Sequence, residues 1–186
     1  MTFTRRGDRR TGQRGTTLIE QIMVITIIAI LAGIAMPAMS RLLTRNQLQV
    51  AQTDFIAALN HARSTAVHTG TLVVLCPSQD GTQCSADTRW DSGWLLGHDR
   101  DHDNQPDGSL LRVGQAYAGT MLVRSTAGRR RVRFQPDGSA SGSNITLLFC
   151  HPGHVEHVLS VVVSNSGRIR GATATAAQAA SCAADS

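Results

Sequence analysis

The feature that most constrains this chain is an uninterrupted apolar run near its N-terminus. From Ile22 to Met36 the fifteen residues carry one hydroxyl, Thr26, and no charge. Counted from Leu18 to Met39, at about 1.5 Å of helical rise per residue, the run is long enough to cross roughly 30 Å of hydrocarbon. A run apolar on every side is longer than most core helices of a soluble domain, so it predicts a membrane-spanning helix. Ahead of it stand Arg5, Arg6, Arg9, Arg10 and Arg14, a basic head that fits a cytoplasmic flank. One residue is out of place: Glu20, an acid at the start of the run. An ionised carboxylate at bilayer depth costs about 2.5–3.5 kcal/mol without a partner, so something must satisfy it.

A secretory signal peptide would share the basic head but would be cut after the apolar run, where Ala35-Met36-Pro37-Ala38 is a poor A-x-A site. A twin-arginine signal is also excluded, because Gly7 and Asp8 follow the first arginine pair where apolar residues should stand. The stretch R-G-T-T-L-I-E-Q (14–21) and the run behind it resemble instead the N-terminus of type IV prepilins and type II secretion pseudopilins. That resemblance implies cleavage by prepilin peptidase between Gly15 and Thr16 and methylation of the new N-terminus. It makes Glu20 the fifth mature residue, partner to the terminal amine of a neighbouring subunit in an assembled fibre. Pro37 falls at mature position 22, where such helices commonly carry a proline. The chain departs from the family pattern in starting with Thr16 rather than Phe.

The 186 residues, about 171 after that cut, allow one membrane helix and one domain of ordinary size. The basic side chains are eighteen Arg with no Lys, and the formal charge of +5 falls to +1 without residues 1–15. Placement says more than the total. Residues 80–107 hold seven Asp against two Arg, whereas residues 112–170 hold eight Arg against Asp137 and Glu156.

Beyond Pro37, which invites a kink, apolar residues recur at Leu48, Ala51, Phe55, Leu59, Ala62 and Ala66. These steps of three and four predict an amphipathic continuation of the helix that lies against the domain and stops at Gly70. The pattern then changes to short β-branched runs between turns: residues 71–76, 92–97, 110–113, 120–124, 130–134, 145–150 and 158–164, with Gln135-Pro136-Asp137-Gly138 a strong turn. The last sixteen residues, rich in Ala, Thr and Ser, read as loosely ordered apart from Cys182. The sum is an α+β class, a long N-terminal helix packed on antiparallel β-sheet. The expected organisation is a leader (1–15), a transmembrane helix (16–39), its amphipathic continuation (40–70) and a β-rich domain (71–186) in the periplasm.

Four cysteines, Cys76, Cys84, Cys150 and Cys182, all follow the membrane segment. In an exported domain an even count reads as two disulfides with three possible connectivities. Cys76 with Cys84 would close a short loop, and Cys150 with Cys182 would pin the tail. A zinc site is the rival, but no C-x-x-C spacing supports it.

The resemblance narrows with C-P-S-Q-D-G-T-Q-C (76–84), W-D-S-G-W-L-L-G-H-D (90–99), R-F-Q-P-D-G-S-A-S-G (133–142), L-F-C (148–150) and N-S-G-R-I-R (165–170). In this order they resemble the GspH/FimT family of minor pilins and pseudopilins, closest to its FimT branch. The type IV pilin fold is what that family implies.

Arg168 and Arg170 stand at i and i+2, so on a strand they face one side about 6.8 Å apart, able to grip neighbouring phosphates with bidentate donors. Gly167 would let the chain turn to present them. Arg131 and Arg133 repeat the spacing, flanked by Arg129 and Arg130. Exposed strands often carry charge on their solvent face, which is the bland reading. In the FimT branch a G-R-x-R motif is associated with DNA binding in natural transformation, and Gly167-Arg168-Ile169-Arg170 matches it.

Other constellations are weaker. Residues 99–107, D-R-D-H-D-N-Q-P-D, alternate acids like the start of a calcium loop, but position six is Asn104 rather than Gly and position twelve Leu110 rather than Glu. A solvated turn is the expectation. His151, His154 and His157 are interrupted by Pro152 and Gly153, so no helix gathers them for zinc. There is no G-x-S-x-G and no marked acid and base pair. The chain therefore reads as a non-enzymatic minor pilin without metal or cofactor. Its expected partners are other pilins, prepilin peptidase, the inner membrane and double-stranded DNA. The alternative is a GspH- or FimU-like subunit that primes pilus or secretion-fibre assembly and touches no DNA.

Overall fold

The computed structural model describes residues 17–117, 119–126, 128–152 and 154–183; the junction of Gly15 and Thr16 lies outside them. Helix α1 spans Leu18–Thr69. The Thr17 carbonyl accepts the N–H groups of Glu20 at 3.1 Å and Gln21 at 3.2 Å, which puts Thr17 at the N-cap and Glu20 at the acid position of a capping box. At the other end Gly70, with φ +63°, takes the left-handed conformation that closes a helix.

The chain divides into two compact units, residues 1–42 and 43–186. In the first, the helix from Leu18 to Leu42 leaves its large apolar side chains exposed, Ile25 by 65% and Ile34 by 69%. The Thr26 hydroxyl donates to the Ile22 carbonyl at 2.8 Å, so the one hydroxyl of the central run is satisfied within the helix. This stretch is long and apolar enough to cross a membrane.

In the second unit the rest of α1 buries the predicted stripe from Leu48 to Ala66. Two four-stranded antiparallel sheets make up most of the remainder. The first takes the order β3-β2-β1-β5, from β1 (Val73–Pro77), β2 (Trp94–His98), β3 (Arg112–Gly114) and β5 (Val132–Phe134). The second takes the order β4-β6-β7-β8, from β4 (Leu122–Ser125), β6 (Ile145–His151), β7 (His154–Val163) and β8 (Ile169–Thr173). Side-chain alternation along β6 serves two layers: Ile145, Leu147 and Phe149 enter the main core with the α1 stripe, while Leu148 and Cys150 enter a second cluster on the opposite face.

Phe55 is the hub of the main core. Its ring meets Phe149 at 5.3 Å, Trp94 at 5.6 Å and Trp90 at 6.1 Å between centroids, all of them fully buried. The tail corrects the expectation of loose order. β8 runs on to Thr173, and a further helix, α2 (Ala176–Ala183), packs Ala179 on the second cluster. Cys150 is bonded to Cys182 and Cys76 to Cys84, with Cα separations of 6.0 and 5.5 Å.

Candidate nucleic-acid interface

The two arginine pairs lie at the edges of different sheets. β5 ends the first sheet, and because Val132 and Phe134 point into the core, Arg131 and Arg133 point out. Arg131 donates through Nη1 to the Asn104 carbonyl at 3.4 Å, and Arg133 through Nη1 to Asn104 Oδ1 at 3.1 Å. Arg129 Nη1 donates to the Gly142 carbonyl at 3.1 Å. With Arg130 these side chains line one open basin of about 360 Å³.

β8 ends the second sheet. Its inward residue Ile169 packs on the main core, leaving Arg168 and Arg170 exposed on the opposite side. The turn from Ser164 to Gly167 sets their position: Gly167 N–H donates to the Ser164 carbonyl at 2.9 Å, and Arg168 N–H to Ser164 Oγ at 3.2 Å. Gly167 has φ +74°, and a Cβ there would come within 2.0 Å of the Gly138 carbonyl oxygen. No other residue fits.

That close approach joins the two edges. The turn that follows β5 (135–139) abuts the turn that precedes β8, and just past it Ala140 N–H donates to the Asn165 carbonyl at 2.9 Å. Arg63, on α1, stands beside both glycines, its Nε 3.2 Å from where either Cβ would be. The sequence did not single out Arg63. Its only signal is position, four residues after Leu59 and three before Ala66, at the border of the buried stripe.

The ion pairs among the described residues are Arg89 with Asp91 at 2.7 Å and Arg112 with Asp54 at 2.5 Å, neither of them in the cluster. Among the described residues the side chains of Arg130, Arg168 and Arg170 carry no hydrogen bond or ion pair. Such guanidiniums can accept phosphate without first giving up a carboxylate.

Elsewhere, Glu20 sits in the first turn of α1, where the helix dipole favours a carboxylate. His151 and His154 are paired in register across the β6–β7 hairpin, with His157 farther along β7. The acidic run departs from a solvated turn at one residue: Asp101 and Asp103 are exposed, but Asp99 is fully buried.

The family described as type II transport protein GspH matches residues 51–167. Among solved structures, the type IV minor pilin FimU of Pseudomonas aeruginosa is similar in two crystal forms. One is 23% identical over 68% of this chain and 88% of that one, with a TM-score of 0.57. The other is 20% identical over 67% and 91%, with a TM-score of 0.55. The minor pseudopilin EpsH of the Vibrio cholerae type 2 secretion system is 15% identical over 67% and 95%, with a TM-score of 0.42. No curated protein sequence matches.

Proposed function

The chain belongs to the family of the type II transport protein GspH, and from that premise we propose that it is a minor type IV pilin of the FimT kind that holds double-stranded DNA for uptake. On this reading prepilin peptidase cuts between Gly15 and Thr16, and residues 16–39 span the inner membrane once with the domain in the periplasm. Glu20 meets the amine of a neighbouring pilin as the subunit enters a cell-surface pilus.

The observation that carries DNA binding is the pair of exposed guanidiniums, Arg168 and Arg170, on a sheet edge tied through Gly138 and Gly167 to the edge bearing Arg129, Arg130, Arg131 and Arg133. Contacts of this kind are made to the phosphate backbone and carry no sequence readout. Stacking on bases is disfavoured, since Trp90, Trp94, Phe55, Phe134 and Phe149 are all buried. If about four arginines reach phosphate, log K falls against log salt with a slope near −3.6.

The test is gel retardation of a DNA duplex by the full chain in detergent. Replacing Arg168 and Arg170 together by Ala is expected to remove most of the shift and flatten the salt slope. Undiminished retardation by that double variant refutes the assignment. One observation favours the structural alternative, a subunit that primes fibre assembly without DNA: the family match ends at residue 167, just before Arg168. Absence of any retardation by the parent chain, with pilus assembly lost in a deletion strain, would select it.

A further inference from the structure

We propose that the loop between β2 and β3 is a calcium site, with the carboxylates of Asp99, Asp101 and Asp107 as ligands. The carrying observation is Asp99. It follows β2 directly, its N–H donates to the Leu72 carbonyl at 2.9 Å, and it is 0% exposed. Neither of its carboxylate oxygens has a hydrogen-bond partner, which is true of no other buried carboxylate among the described residues; Asp91 is held by Arg89. A buried acid without partners must take up a proton or meet a cation. Burial, with the neighbouring carboxylates of Asp103 and Asp101, pushes its pKa up; the Asn104 N–H and His102 pull the other way.

The surroundings answer that need. Oxygens of Asp99, Asp101 and Asp107 lie within 4.8 Å of one another, about the span of ligands bound at 2.3–2.6 Å around one calcium ion. Asp99, Asp101, Asp103, Gln105 and Asp107 occupy positions one, three, five, seven and nine of a calcium loop, where seven contributes its carbonyl. Asn104 at position six has φ +73°, so it makes the sharp turn for which such loops use Gly; Asn is among the residues that tolerate it best. The objection raised by its side chain therefore falls. Leu110 at position twelve supplies no carboxylate, so water completes the shell and affinity belongs to the weaker extracellular class, about 10⁻⁴ to 10⁻³ M.

The loop is held in shape by the protein itself. Asp107 N–H donates to the His98 carbonyl at 2.6 Å, and Arg100 N–H to Asp107 Oδ2 at 2.5 Å. Gln105 exchanges hydrogen bonds with the Cys84 backbone, at 2.8 Å from the Cys84 N–H and 3.4 Å to its carbonyl, which ties the loop to the first disulfide. All-oxygen donors exclude soft metals, and an irregular set of carboxylates suits calcium better than octahedral magnesium. Asn104 also receives Arg131 and Arg133, so the ion would steady the residue on which both arginines rest. The site does not depend on the DNA reading.

Calorimetry and thermal unfolding of the full chain in detergent, stripped with chelator and titrated with CaCl2, test it. The parent is expected to bind saturably by about 10 mM with a rising Tm, and MgCl2 to bind at least about tenfold more weakly. Asp99→Asn removes the buried charge with little change of shape, so it is expected to melt no lower than the parent in chelator and to lose the calcium response. Asp101→Asn, at an exposed position, is expected to fold and to weaken binding about tenfold. The proposal is overturned by no saturable binding to the parent, by undiminished binding in both variants, or by equal affinity for magnesium.

Discussion

Helix α1 contains two apolar stretches that meet opposite fates. From Leu18 to Leu42 its large side chains are exposed on every face, whereas from residue 43 to 69 Leu48, Ala51, Phe55, Leu59, Ala62 and Ala66 are buried and Gln49, Asn60 and Arg63 flank them. The difference is periodicity. The later stretch has a polar face, so it can tell core from water; the earlier one has none, and none of the described residues buries it, so on the proposed reading its covering comes from lipid or from other subunits. One helix thus carries a folding face and, on the proposed reading, an assembly face in series.

Phe55→Ala is expected to have the largest effect, about 3–5 kcal/mol of stability lost, because it empties the centre of the aromatic cluster. Denaturant unfolding of the full chain in detergent measures it. A loss below about 1 kcal/mol would break the claim that this half of the helix is the one that folds the domain. Ile28→Asp is the matching change in the other half. On the proposed membrane reading it costs about 2.5–3.5 kcal/mol of insertion, seen as a shift from membrane to soluble fraction, with the domain's unfolding midpoint unmoved.

The smaller contact of Gln52 sharpens the same contrast. Its side-chain N–H groups donate to the Ser160 carbonyl at 2.8 Å and the Ala172 carbonyl at 3.2 Å, so α1 holds β7 and the edge strand β8 together. Gln52→Ala is expected to cost about 1 kcal/mol and to raise amide exchange in β8 more than in β1. Uniform exchange across both sheets would show that β8 does not depend on the helix.

What the sequence disclosed follows the same division between local and tertiary information. The α1 stripe and its Gly70 stop were legible because a period of three and four and a left-handed cap are written in consecutive residues. The i, i+2 spacing of Arg131 and Arg133 likewise foretold a shared outward direction. Helix α2 was missed: Ala176 to Ala183 offers only small side chains, its one local signal was the Thr175-x-x-Gln178 capping box, in which each side chain bonds the other's N–H, and its packing comes from Cys182 and the faces of β6 and β7. The joining of the two arginine edges depends on Gly138 and Gly167 meeting, which no local pattern states. Asp99 shows the same limit. Its acid alternation was visible, but the β1–β2 register sets Val73 opposite His98 and so carries Asp99 in beside Leu72.

The smallest effect on folding is expected at Glu20, and it separates the two faces most cleanly. The carboxylate stands in the first turn of α1, exposed, where the helix dipole contributes about 0.3–1 kcal/mol to the helix end. Nothing in residues 43–186 is needed to explain an acid there. Glu20→Ala should therefore leave the domain's melting temperature within error of the parent, because the turn it stands in belongs to the other unit. In the fibre the proposed partner is a neighbour's amine, and removing the acid should eliminate the subunit from sheared pili while its level in the membrane stays normal. Incorporation at the parental level would mean that the carboxylate serves only the helix end, and the exposed half of α1 would then need another determinant for assembly.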